Sequence, residues 1–124
     1  LKALGADVTI SARKEKDFAE ISAFDFTPAR SDRLCAVIKN SDIVFNTVPV
    51  LLIGEKELLA AQKETLFIDL ASKPGGIDFS AAEKTGLKVL RLLSLPGKTA
   101  PKTAGEIIAE TVLRILKGGE TNGE

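Results

Sequence analysis

The first residues able to bind a charged ligand follow a short apolar run, 8–11, which predicts a β-strand. The run ends at Ser11, and Arg13 and Lys14 come next. A guanidinium binds phosphate through two parallel hydrogen bonds, and an ammonium adds a point charge. Sites for the ribose 2′-hydroxyl of NAD usually place an acid here, which would repel a 2′-phosphate. Ser11, Arg13 and Lys14 therefore predict an NADP site, and the alternative interpretation is a solvated basic turn.

Three further apolar runs end in polar, glycine or proline residues. Open α/β sheets bind ligands at the carboxyl ends of their strands, so these positions are candidate cofactor contacts. Small side chains there would let a nicotinamide ring approach the backbone. Each residue alone also fits a structural role, such as a turn cap at Asn46 or a buried carboxylate at Asp69. The candidates are Asn46, Thr47, Val48, Pro49, Leu70, Ala71, Ser72, Pro96 and Gly97.

The elements that would position these residues alternate in type. Strands are predicted at 8–11, 43–48, 66–70 and 89–93, and amphipathic helices at 32–39, 55–62, 80–85 and 103–117. The strand segments are almost continuously apolar, as parallel strands covered on both faces are. Residues 24–28 fit either a strand or a loop. The alternation predicts an α/β fold, specifically a Rossmann-like doubly wound parallel sheet.

Two of the predicted helices carry start and stop signals. Ser80 lies three residues before Glu83, the spacing of a capping box, and Gly86 follows as a C-cap. The helix that begins at Thr103 has the same pattern and ends before Gly118. Both sets of signals support helices over these segments.

The start of the chain predicts an incomplete sheet. Residues 1–5 indicate a helix end, so the first strand of a Rossmann unit and its glycine loop are expected upstream. The domain assignment is a partial NAD(P)-binding Rossmann domain over 1–117, with a disordered tail over 118–124. Without that central strand its two neighbours expose unpaired backbone groups. We expect these residues alone to be unstable or to aggregate; cooperative thermal unfolding of a soluble monomer would contradict this.

Composition excludes several classes of function. Lysine plus arginine equals aspartate plus glutamate at 17 each, which gives no overall charge for nucleic acid or an anionic membrane. The chain has no histidine, which removes histidine metal sites and Ser-His-Asp triads, and we expect no metal. The single cysteine, Cys35, is interpreted as core, and its isolation fits a cytoplasmic protein. No apolar run approaches the roughly 20 residues of a membrane helix.

Three segments carry a resemblance to a known family. They are N-T-V-P at 46–49, D-L-A-S-K-P-G-G-I-D-F at 69–79 and L-P-G-K-T-A-P-K-T-A-G-E-I-I at 95–108. In this order they resemble the family of the dipicolinate synthase A subunit over nearly the whole chain. A looser likeness extends to shikimate dehydrogenase and methylenetetrahydrofolate dehydrogenase domains, which share the general layout.

The resemblance implies NADP-dependent oxidation of dihydro- or hydroxytetrahydro-dipicolinate to dipicolinate during sporulation, in the mother-cell cytoplasm. It implies a second protein, the dipicolinate synthase B subunit, and a substrate site completed by residues outside this sequence. Assembly into a homo-oligomer stays open. These residues alone are expected to be inactive.

The implied substrate is a small dicarboxylate dianion, which lysines on the strand-end loops could bind. Lys98 is the first candidate, because Pro96 and Gly97 would hold it near the nicotinamide; the alternative is an ordinary surface lysine. No catalytic residue is assigned. Two other functions stay open: a shikimate- or methylenetetrahydrofolate-dehydrogenase-like NADP oxidoreductase, and a non-catalytic nucleotide-binding module.

Overall fold

The computed structural model describes residues 2–92 together with 110, 113 and 114. Within this part, parallel strands alternate with helices, which confirms the α/β prediction. The strands are β1 (Thr9–Ala12), β2 (Thr27–Arg30), β3 (Ile43–Asn46), β4 (Leu66–Asp69) and β5 (Lys88–Arg91). The α-helices are α1 (Glu15–Ala23), α2 (Leu34–Lys39), α3 (Glu55–Ala60) and α4 (Phe79–Thr85), with 3-10 helices at Lys2–Leu4 and Ser31–Arg33.

The strands form two separate parallel sheets, β1-β2 and β3-β4-β5. The register pairs Ala12 with Arg30 in the first sheet, and Asn46 with Asp69 and Asp69 with Arg91 in the second. Among the described residues, no strand is hydrogen-bonded between β1 and β3, so each of these strands keeps one open edge. The central strand expected between them stays a prediction.

The core lies around β4, whose four residues are all buried. Phe67 is fully buried on one face, where it packs with Ile38 of α2 and Leu58 of α3. Ile68 lies on the other face with Leu90 of β5. Removing a side chain as large as Phe67 from water is worth about 2–3 kcal/mol. The helices therefore fasten the three-stranded sheet through one well-packed face.

The prediction that every strand is covered on both faces is wrong for β1. Thr9, Ile10 and Ser11 are exposed, and β1 has β2 as its single strand neighbour in the described structure. Helix α1, which covers this sheet, was not predicted; Ile21 is its one buried residue, so its apolar period is weak. The segment left open at 24–28 leads into β2, where Pro28 is tolerated because β2 is an edge strand.

Helix ends agree with the sequence in one case and differ in another. Helix α4 starts at Phe79, and its N-cap is Asp78, whose carboxylate accepts a hydrogen bond from the Ala81 amide at 3.1 Å. The Ser80 capping box is therefore wrong, because an aspartate two residues earlier caps equally well. Gly86 is confirmed as the C-cap, with a left-handed φ of 73°. The predicted helix at 103–117 and the tail at 118–124 lie outside the described residues, apart from 110, 113 and 114.

A candidate nucleotide-binding edge

The first part of the candidate site is an open pocket of about 220 Å³ at the carboxyl ends of β1 and β2. It forms there because Ala12 and Arg30, the last residues of the two strands, lie side by side in register. Arg13 and Arg30 supply cations and Ser31 a hydroxyl, all donors that suit a phosphate. Its lining residues are Ala12, Arg13, Glu15, Phe18, Arg30, Ser31 and Asp32.

An ion pair already occupies one of these cations. The guanidinium of Arg30 donates to both carboxylate oxygens of Asp32, at 3.1 and 3.0 Å. This hydrogen bond lowers the pKa of Asp32 below its usual range and raises that of Arg30. Both side chains are exposed, and exposed pairs of this kind are weak. An incoming phosphate can therefore exchange with Asp32 at small cost.

The second part of the site is a buried polar network at the carboxyl ends of β3 and β4, centred on Asp69. Asp69 is fully buried. One carboxylate oxygen accepts from the Asn46 side-chain amide at 2.9 Å and the Ala71 backbone amide at 3.3 Å. The other accepts from the backbone amides of Gly76 and Ile77 at 2.9 and 3.3 Å. This confirms the interpretation of Asp69 as a buried carboxylate bonded to the following loop.

Asn46 and Gly76 bring the two strand-end loops into direct contact. The Asn46 amide donates to the Val48 carbonyl at 2.9 Å as well as to Asp69, so it closes the turn after β3. A Cβ at position 76 would overlap the Asn46 side chain and lie 2.5 Å from the Val48 carbonyl oxygen. Only glycine fits there, and the loops after β3 and β4 therefore form one packed unit.

The predicted contacts at these strand ends differ in accessibility. Asn46 and Ala71 are buried, whereas Val48 and Leu70 are half-buried. Thr47, Pro49 and Ser72 are exposed and can reach a ligand directly. The Leu70 amide donates to the Asn46 carbonyl at 2.9 Å, which holds the two strand ends together. Pro96, Gly97 and Lys98 lie outside the described residues.

At the first strand the structure adds residues that the sequence did not indicate. Ser11 and Lys14 are exposed beside the pocket but do not line it, whereas Arg13 does. Arg30 and Ser31 were missed, because residues 24–28 were left between strand and loop, so no strand end was assigned to them. A strand predicted to end at Arg30 would have had polar residues at its end, like the strand that ends at Ser11, and would have made Arg30 and Ser31 candidates.

Two other sequence expectations concern Cys35 and metals. Cys35 is only half-buried, with its thiol 3.8 Å from the Lys56 carbonyl oxygen, so its interpretation as core holds in part. Among the described residues, no group of three or more Cys, Asp or Glu side chains is placed to hold a metal ion. No helix in the same residues is long and apolar enough to cross a membrane.

Comparison with known proteins gives relatives both by sequence and by structure, while no family model matches the chain. The chain is 42% identical over 114 residues to the dipicolinate synthase A subunit of Bacillus subtilis, matching 92% of this chain and 38% of that protein. Crystal structures of the dipicolinate synthase A subunit from Bacillus halodurans and Bacillus subtilis both superpose with a TM-score of 0.75. Their identities are 40% and 41% over 93% and 94% of this chain, and 40% and 39% of theirs.

The sequence resemblance is thereby confirmed, and so is the Rossmann-like fold. The chain spans about two fifths of the length of the relatives it matches. Over that span it is related in both sequence and fold to the dipicolinate synthase A subunit.

Proposed function

We propose that this chain is the NADP-binding part of a dipicolinate synthase that oxidises dihydro- or hydroxytetrahydro-dipicolinate during sporulation. The observation that carries the proposal is the similarity to the dipicolinate synthase A subunit over 92% of the chain. The two parts of the strand-end site add chemical support, because one offers cations and the other a shaped, rigid edge.

The pocket of Arg13, Arg30 and Ser31 suits the adenosine 2′-phosphate of NADP. Its donor set matches a phosphate, and β1 carries no acid at its tip that would favour NAD. Glu15 and Asp32 also line the pocket, and Asp32 already neutralises Arg30. Arg13 is therefore the main phosphate ligand in this proposal, and Arg30 becomes available when Asp32 is displaced.

The edge formed by the loops after β3 and β4 suits the nicotinamide end. Ala71 and Ser72 have small side chains, and Thr47 and Ser72 present hydroxyls at the surface. Bound NADP would supply the hydride acceptor. The dihydro substrate loses one hydride to it and one proton to solvent or a base, and the hydroxytetrahydro substrate also loses water. The task of this chain is then to fix the geometry between donor and acceptor.

The proposal also includes a substrate dianion and a partner protein. Lys73 is exposed on the loop after β4, where an ammonium can meet a carboxylate, and Lys98 keeps the role expected from the sequence. The relative is named as the A subunit of its enzyme, which supports a partner in the corresponding B subunit. We place the assembled enzyme in the mother-cell cytoplasm, in accordance with a role in sporulation.

The test uses a protein in which this chain is extended to the length of its relatives, called the full chain below. It is assayed with and without the B subunit. Freshly made dihydrodipicolinate and NADP are expected to give dipicolinate and NADPH in equal amounts. Lys98→Ala is expected to raise the KM for the dicarboxylate about tenfold or more, as loss of a charged hydrogen bond does. Lys84→Ala, on helix α4, is the matched control and should leave KM unchanged.

Other outcomes would replace the proposal. NADP binding with no turnover of any dicarboxylate would assign a non-catalytic nucleotide-binding module. NADPH formation from shikimate or methylenetetrahydrofolate instead would assign the looser relatives' chemistry.

A further inference from the structure

The buried carboxylate of Asp69 has more hydrogen bonds than its place in the sheet requires. Four N–H groups converge on its two oxygens, from Asn46, Ala71, Gly76 and Ile77. An ionised carboxylate accepts all four hydrogen bonds. A neutral amide at this position would have an NH2 group in place of one oxygen, and its two N–H donors would face two of the N–H groups without accepting from them. The arrangement is therefore specific for a negative group that is fully buried.

This negative group lies at the strand ends that the proposed function gives to the nicotinamide. Asp69 is the last residue of β4, and its bonds reach Asn46 at the end of β3 and both ends of the loop 71–77. Charge–charge interactions are stronger at the lower effective dielectric of a protein than in water, so a charge buried behind this edge would act on a ring bound in front of it.

The cation placed opposite Asp69 in register does not bind it. Arg91 donates instead to the Pro74 carbonyl at 3.0 Å, and its guanidinium lies 4.5 Å from the Phe79 ring centre. Arg91 is exposed, so water screens its charge more strongly than that of the buried Asp69.

We propose that Asp69 is a positioning residue that also sets the redox preference of the bound cofactor. Its hydrogen bonds fix the loops after β3 and β4, and its charge favours the oxidised nicotinamide, which is cationic, over the neutral reduced ring. This inference rests on the proposed function, because it needs a nicotinamide at this edge.

The test is Asp69→Asn in the full chain, with the Kd of NADP and of NADPH measured by calorimetry. Lost loop geometry weakens both forms alike, whereas lost charge weakens NADP alone. We expect the ratio of the NADP Kd to the NADPH Kd to rise roughly tenfold, as an interaction with a nearby buried charge implies. An unchanged ratio would overturn the proposal and leave Asp69 a purely structural residue.

Asp78→Asn is the matched control, because it removes the same charge from the N-cap of α4, where asparagine caps equally well. Its ratio should stay at the wild-type value. If Asp69→Asn does not fold, wild-type protein decides: it should bind NADP more tightly than NADPH, and the reverse order would refute the inference. If wild-type protein binds neither form, the proposed function fails instead.

Discussion

The two sheets of this chain differ in how they are built. Strand β4 is buried at all four positions and is flanked on both sides by other strands. Strand β1 has three exposed residues and one described neighbour. The β3-β4-β5 sheet therefore contains the core and the packed loops. The β1-β2 sheet is less buried and places charged side chains at its strand ends.

In the proposed function, this difference gives the two sheets separate tasks at their strand ends. At the β3-β4 end, shape is fixed by buried hydrogen bonds to Asp69. At the β1-β2 end, the proposed selectivity for NADP rests on the exposed cations Arg13 and Arg30, and among the described residues Asp32 pairs with Arg30. Substitutions in the first region should change stability strongly, and substitutions in the second should change ligand preference with little effect on stability.

The largest expected effect compares two phenylalanines. Phe67 in β4 is fully buried, and Phe67→Ala should lower the free energy of unfolding by about 3–5 kcal/mol. Phe24, after α1, is 67% exposed, and Phe24→Ala should change it by less than about 1 kcal/mol. Urea denaturation of the full chain measures both. Equal losses for the two variants would show that the β1-β2 region is as tightly packed as the β3-β5 region.

A smaller effect compares two glycines of the second region. Gly76→Ala puts a Cβ against Asn46 and the Val48 carbonyl, and should cost about 1–3 kcal/mol through overpacking. Gly54→Ala meets its nearest atom at 3.6 Å and should cost less than about 1 kcal/mol. The same denaturation experiment tests the pair. A Gly76→Ala protein as stable as Gly54→Ala would mean that the two strand-end loops are not packed as a unit.

The smallest effect concerns the Arg30–Asp32 pair. Because the folded-state pKa of Asp32 is lowered, its stabilisation is present above the unfolded pKa and is lost as pH falls through the folded pKa. Asp32→Asn should therefore lower the unfolding midpoint slightly at neutral pH, with no difference from wild type in strong acid.

The same variant frees Arg30 and should tighten NADP binding a few fold. Weaker NADP binding would show that Asp32 helps rather than competes.

Much of the fold was predictable because its signals are local. The apolar runs gave β3, β4 and β5 to within about two residues at each end, and Gly86 marked the end of α4. Helix α1 and strand β2 were not predictable in the same way. Few of their residues are buried, so their sequences carry a weak apolar period. Pro28 also argues against a strand in the sequence, although an edge strand such as β2 tolerates proline.

The candidate site was predictable in its location and less so in its chemistry. Polar residues after apolar runs pointed to the strand ends, and the structure brings those of β3 and β4 together. Which side chains face a ligand depends on contacts between distant segments, which a linear pattern does not contain. Asn46 was predicted to contact the cofactor, but its side-chain amide donates to Asp69 and to the Val48 carbonyl. Arg30 was not predicted, yet it lines the pocket.

We propose that this chain binds NADP through Arg13, and calorimetry tests this binding directly. The full chain is titrated with NADP and with NAD, as wild type and as Arg13→Ala. Wild type should bind NADP more tightly than NAD, and Arg13→Ala should weaken NADP roughly tenfold to a hundredfold, the usual worth of a charged hydrogen bond, while leaving NAD unchanged. Equal affinity for both nucleotides, or equal loss of both in Arg13→Ala, would contradict the binding of NADP through Arg13.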